Sequence, residues 1–205
     1  GVSSGSNLQR AFRALDNLTS ADLSNLDVSN AGNMDYLFDG CSDLASLEGI
    51  SDWNVSSVTN MGYMFMGCSS LTSLDLSSWN VSGVRTMASM FEDCSMLADL
   101  NISGWNTSNL NNASGMFRNC SSLTELDLSG WDTTCMENLF GMFMGCTNLA
   151  SLDLTGWDVS NAGNMYGMFA GCASLEELDI SGWDVRGAIG MRNMFYGCSK
   201  LTSLD

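Results

Sequence analysis

Tryptophan occurs at Trp53, Trp79, Trp105, Trp131, Trp157 and Trp183, each 26 residues from the next. Phenylalanine keeps the same beat at Phe38, Phe65, Phe91, Phe117, Phe143, Phe169 and Phe195. A cysteine follows three residues after each, at Cys41, Cys68, Cys94, Cys120, Cys146, Cys172 and Cys198. The first step in these two columns is 27, and the extra residue lies in "LEGISDW", most simply Gly49. A fixed period of this length marks a stack of equivalent units, because one unit cannot bury its own apolar face and its neighbours must cover it. Like residues then pile on like residues, so Trp, Phe and Cys form structural ladders.

The unit reads L-x-x-L-D-L-S-x-W-[ND]-[VT]-S-x(4)-M-x-x-M-F-x-x-C-x-x. It starts at Leu18, Leu44, Leu71, Leu97, Leu123, Leu149 and Leu175, with a stub at 201–205. Leu74-Asp75-Leu76-Ser77 alternates inward and outward as a short strand does. Met87, Met90, Phe91 and Cys94 fall at i, i+3, i+4 and i+7, which predicts a helical or 3₁₀ return. The first unit is atypical, with Ala21 and Leu26 in place of the second Leu and the Trp. Ahead of it Leu8, Ala11, Phe12 and Leu15 share the helical spacing, which predicts an amphipathic capping helix over residues 1–17 and a seven-repeat solenoid over 18–205.

Composition narrows the function. Of 205 residues 45% are hydrophobic, enough to bury a core. The formal net charge is −16 with only seven Lys plus Arg, which disfavours nucleic acid and anionic membranes, allows cations as partners and favours solubility. Histidine is absent, which removes an imidazole base and a His-ligated zinc. No run of about 18 apolar residues exists, so no membrane insertion is expected. The chain starts without Met or a signal peptide, and "LTSLD" stops as a new unit begins. It is expected to be an excised piece of a larger protein.

The pattern L-x-x-L-D-L-S-x-W-D-V-S-x-x-x-x-M-x-x-M-F-x-x-C resembles the BspA-like leucine-rich-repeat surface proteins of bacteria and protists, which include mycoplasma surface lipoproteins. The resemblance covers about residues 18–205. It implies a secreted or surface-anchored solenoid, often part of an adhesin that binds host or neighbour molecules. No catalytic residues attach to the motif. The fold expected is an α/β repeat solenoid of right-handed 26-residue coils, with short parallel strands on one face and short helical or 3₁₀ segments on the other.

Several columns are candidate sites. The seven in-phase Cys are read as one small buried thiol per coil, with stacked disulfides as the alternative. A row of thiols is not a tetrahedron, which disfavours metal. Cys135 stands outside the column. Acidic residues recur after the second Leu (Asp22, Glu48, Asp75, Asn101, Asp127, Asp153, Asp179, Asp205) and after the Trp (Asp27, Asn54, Asn80, Asn106, Asp132, Asp158, Asp184). Stacked carboxylates about 5 Å apart repel by on the order of 1 kcal/mol per pair in water, so something must offset them. Asx turns suit the post-Trp column. On the strand face Asp127, Asp153 and Asp179 are candidate Ca²⁺ ligands. A Ser/Thr row beside them (Ser24, Ser51, Ser77, Ser103, Ser129, Thr155, Ser181) raises ice or mineral binding. At variable positions of the return, Phe140, Met144, Tyr166 and Tyr196 fall on adjacent coils and form a candidate binding patch. The expected function is non-enzymatic: extracellular or cell-surface adhesion and recognition of a protein or glycan, with a structural spacer as the alternative.

Overall fold

The computed structural model describes residues 2–3 and 7–204. Among the described residues eight short strands occur: β1 (Val2–Ser3), β2 (Ser20–Asp22), β3 (Leu26–Asp27), β4 (Ser46–Glu48), β5 (Ser73–Asp75), β6 (Asp99–Asn101), β7 (Glu177–Leu178) and β8 (Ser203–Leu204). All pairing is parallel and pairwise, β1 with β3, β2 with β4, β5 with β6 and β7 with β8. In β5 Leu74 is buried between exposed Ser73 and Asp75, so the alternation of the sequence sets which face enters the core.

The return segments correct the sequence reading. They are not helical, and the helical element found among the described residues is a 3₁₀ turn at Ile50–Asp52 on the strand side. Each return is a run of tight turns whose alternate amides point to the next coil. Met34, Tyr36, Phe38 and Gly40 donate to the carbonyls of Asn60, Gly62, Met64 and Met66 at 2.7–2.9 Å. The residues between them close turns within their own coil, as Leu37 N–H to Met34 O and Cys41 N–H to Phe38 O. The same pattern runs as far as Met165, Gly167, Phe169 and Gly171, which donate to Gly190, Arg192, Met194 and Tyr196.

This geometry needs left-handed backbone twice per return, as at Tyr36 (φ 57°) and Gly40 (φ 75°). Those residues break any helix, yet they leave the 3–4 spacing of inward side chains intact. Amides that a helix would satisfy four residues back are satisfied by the neighbouring coil instead.

For the same reason the capping helix over 1–17 does not form in its described part. Residues 7–17 hold turns, and Leu8, Arg10, Phe12 and Ala14 donate to the carbonyls of Asn33, Asp35, Leu37 and Asp39. They make one more return, laid on the first complete coil. Residues 1 and 4–6 of the expected helix, and Asp205, lie outside the described residues.

The core follows the columns. Eight Phe rings, from Phe12 to Phe195, stack with centroids 5.2–5.8 Å apart. Trp rings step 6.3–6.4 Å where they stack, as Trp53 on Trp79 and Trp105 on Trp131. The coils are therefore held more closely along the return than along the Trp side. Consistent with this, Trp79 and Trp105 donate to Ile50 O and Leu76 O, whereas the buried Nε1 of Trp131, Trp157 and Trp183 has no protein partner. Between Asn101 and Glu177 no strand is described either.

The extra residue Gly49 has φ 74°, and a Cβ there would come within 2.6 Å of Ser24 backbone atoms. It fits only because glycine has neither the steric bar nor the side chain.

Far-UV circular dichroism should therefore lack the helical double minimum, and a helical spectrum would contradict the turn ladder. Phe117 is fully buried between Phe91 and Phe143. Phe117→Ala should lower the stability read by denaturant unfolding by about 3–5 kcal/mol.

Candidate functional site

The return face carries the candidate patch. Phe140 and Tyr166 stack at 5.4 Å, 12° from parallel. Their backbone amides are held by Asn138 Oδ1 and Asn164 Oδ1, each at 3.1 Å, so the backbone carrying both rings is pinned. Asn193 Nδ2 donates to the Tyr166 hydroxyl at 3.1 Å. Met144 lies against Gly167, where a Cβ would meet the Met144 methyl at 2.5 Å. Phe140, Met144 and Tyr166 are half-buried; the two rings meet, and Met144 lies against Gly141 and Gly167, the residues that follow them. Tyr196 shares the Met144 column across Ala170 and is 75% exposed.

A second aromatic pair was not visible as a site in the sequence. Tyr36 and Tyr63 stack at 4.4 Å with parallel rings, and the guanidinium groups of Arg10 and Arg13 sit 5.2 and 5.3 Å from the Tyr36 ring. Arg13 Nε also meets Asp39 Oδ2 at 2.7 Å. The signal lay in the left-handed column, where Tyr36 and Tyr63 stand at positions later filled by Ser89, Gly115, Gly141 and Gly167. Small residues therefore separate the two aromatic pairs along the return face.

Both acidic columns are built mainly of Asx turns. Asp22, Asp75, Asp127, Asp153 and Asp179 each accept the amide of the residue two ahead at 2.9–3.0 Å. Ser24, Ser77 and Ser129 also donate their hydroxyls to the same Oδ1 at 2.7 Å. The post-Trp column does likewise, as at Asp132 with Thr134 and Asp158 with Ser160. These bonds offset the repulsion within the rows and hold the carboxyls below their ordinary range. They also commit hydroxyls of the Ser/Thr row. Among the described residues no three His, Cys, Asp or Glu converge as a metal site would require, and this includes Asp127, Asp153 and Asp179.

The cysteine column is one of free thiols with a specific partner. Each Sγ donates to a Phe carbonyl of the preceding coil. Cys41 reaches Phe12 O and Cys120 reaches Phe91 O at 3.0 Å, and Cys198 reaches Phe169 O at 3.1 Å. Burial pushes Cys94 and Cys146 up to about 12 and raises Cys68, Cys120 and Cys172 as well. Cys135 is exposed.

Parallel strands, a stacked apolar core and surface columns that vary from coil to coil define a leucine-rich-repeat type of solenoid. The chain belongs to the family described as Mycoplasma protein of unknown function, DUF285, which it matches over residues 6–126 and 114–204. This is the BspA-like group that its repeat resembles. No curated protein matches it significantly. Among solved structures it is similar to a leucine-rich repeat protein of T. pallidum, with 25% identity and a TM-score of 0.54 over 85% of this chain and 71% of the other. A leucine-rich repeat protein of Bacteroides ovatus matches at 19% identity and a TM-score of 0.39, over 99% and 58% of the two chains. An internalin of Listeria monocytogenes matches at 17% identity and 0.41, over 93% and 48%.

Three consequences can be measured. Unfolded thiols ionise near 9 while the buried ones keep their protons, so above pH 9 the unfolded state binds fewer protons than the native state. Thiol-derived stability should be complete below about pH 9 and fall between 9 and 12, by about tenfold in the unfolding constant per pH unit for each such thiol. A thiol reagent should label Cys135 first and Cys68 through Cys172 of the column only on unfolding. On the acid side the depressed carboxyls stabilise the fold above about pH 4, and that contribution should fade as pH drops through their folded values.

Proposed function

We propose that this chain is a non-enzymatic recognition module acting outside the cell or at its surface, which binds a protein or a glycan partner through its return face. The observation that carries the reading is the Phe140–Tyr166 stack with Met144 beside it and Tyr196 exposed. The core columns are explained by burial, whereas Phe140 and Tyr166 occupy positions that earlier coils fill with Gly62, Ala88 and Ser114, and Tyr196 one that they fill with Glu92 and Arg118. Aromatic side chains on pinned backbone, as at Phe140 and Tyr166, lose little freedom on binding, which suits them as anchors, and flexible Met144 can adapt beside them. Leucine-rich-repeat solenoids as a class act in protein interaction and surface recognition, which agrees with the fold. The right-handed, 26-residue coil is part of this proposal. So is the absence of a nucleic-acid partner, which the charge of −16 supports. No helix among the described residues is long and apolar enough to cross a membrane.

The test is binding of the labelled protein to an array of matrix proteins and glycans, with and without Ca²⁺. A saturable hit should weaken at least tenfold in Tyr166→Ser and Tyr196→Ser, with the melting temperature little changed. A folded protein that binds nothing on the array would instead favour the spacer.

A further inference from the structure

Beside the return face, on the flank that precedes it in each coil, lies a groove of about 960 Å³. Its lining is dominated by asparagine: Asn109, Asn111, Asn138, Asn161 and Asn164. We propose that this groove binds an extended, neutral, β-linked polysaccharide. The inference extends the recognition reading to a second site and a named ligand class.

The amides are fixed in complementary ways. Asn138 and Asn164 each spend Oδ1 on the amide two residues ahead, which leaves Nδ2 as an oriented donor without a protein partner. Asn109 and Asn161 do the reverse. Each donates Nδ2 to the preceding coil, to Ser82 O and Thr134 O at 2.8 Å, which leaves Oδ1 as an oriented acceptor. One groove therefore holds a set of fixed donors and a set of fixed acceptors, already ordered before any ligand arrives. Sugar hydroxyls donate and accept at once, so vicinal hydroxyls match both sets.

The remaining lining argues against other ligands. Charge is limited to Arg85 and Glu137, which are of opposite sign, and neither has a salt bridge among the described residues. A polyanion or polycation gains nothing net from such a pair. The apolar contribution is mainly Cys135 and Ile189, too little to seat an amphipathic helix.

An extended peptide fails on register. Its like-facing groups recur about every 6.5 Å, two residues at 3.2–3.4 Å each. The coils step 5.2–5.8 Å along the Phe ladder. The mismatch accumulates to roughly an unpaired hydrogen bond over three coils. A β-1,4-linked pyranose chain advances by about one coil per sugar with successive sugars turned over, so its like-facing hydroxyls recur at every second coil, which is the spacing of the acceptors Asn109 and Asn161.

The probes are cellohexaose and chitohexaose, titrated calorimetrically into the whole chain, with the bent α-1,4 isomer maltohexaose as control. At least one β-1,4 hexasaccharide should bind saturably, with an affinity that climbs with chain length until the sugar spans the coils of Asn109 to Asn164. Added salt should leave it unchanged. The double variant Asn138→Asp, Asn164→Asp keeps both backbone caps and removes both donors, so it should stay folded and bind at least tenfold more weakly. Tyr166→Ser should leave the sugar affinity alone. Absence of binding at millimolar sugar, equal binding of maltohexaose, or full affinity in the double variant would each overturn the groove. If an array partner is found that Tyr166→Ser abolishes while no hexasaccharide binds, the groove fails and the patch reading stands.

Discussion

The fold depends on one interaction, the hydrogen bond from every second amide of a return to a carbonyl of the next coil. It substitutes for the internal bonding of a helix and joins the coils where strand pairing does not. The strands occur in isolated pairs, with none described between Asn101 and Glu177, while the return ladder runs without interruption from Leu8 to Gly171. Buried backbone groups must find partners, and here they find them across coils. Everything stacked on that ladder inherits its register. Phe lies over Phe, and each thiol sits under the carbonyl of a preceding Phe. That carbonyl also closes a turn to its own coil's cysteine amide, as Phe38 O does for Cys41 N–H. The sulfur thus supplies a second, weak donor in a place too tight for a larger group.

The same ladder sorts residues into those that are constrained and those that are free. Columns facing inward repeat. Asn33, Asn60, Asn112, Asn138 and Asn164 also repeat, because each caps the first turn of its return. Asn, unlike Asp, can do this and still offer a donor outward. A structural column and a recognition column can therefore be made of the same residue. The carboxylate rows show the opposite economy, in which serine and threonine groups absorb the charge that would otherwise push the coils apart.

Much of this was legible in the sequence. The unit, the buried columns and the Asx turns after the Trp follow from period and residue type, whereas the Asx turns of the strand-face row, where Asp127, Asp153 and Asp179 suggested Ca²⁺, did not. The helical return did not survive, for a physical reason: Met87, Met90, Phe91 and Cys94 face one way in a helix and equally in a run of alternating turns. The clue that separates them is the glycine before the cysteine, Gly40, Gly67, Gly145, Gly171 and Gly197, which sits in the left-handed region. Non-glycine residues there, such as Asp93 and Asn119, blur it. The spacing of Leu8, Ala11, Phe12 and Leu15 misled in the same way. The Phe140 patch was readable because it departs from its columns. The groove was not, since asparagines in an Asn-rich chain attract no notice until their second atoms are accounted for.

Gly49 shows where such a chain can change length. The extra residue falls on the strand side, beside the 3₁₀ turn, and β4 and β5 on either side of it do not pair with each other. An insertion there shifts no cross-coil bond of the return. One residue added between Asn33 and Cys41 would exchange the amides that reach outward with those that turn inward. Whole coils, by contrast, can be copied or lost without disturbing a single register, since each is donor to one neighbour and acceptor from the other. Length variation in this lineage should therefore come in complete units, with stray residues collecting at the strand-side corner.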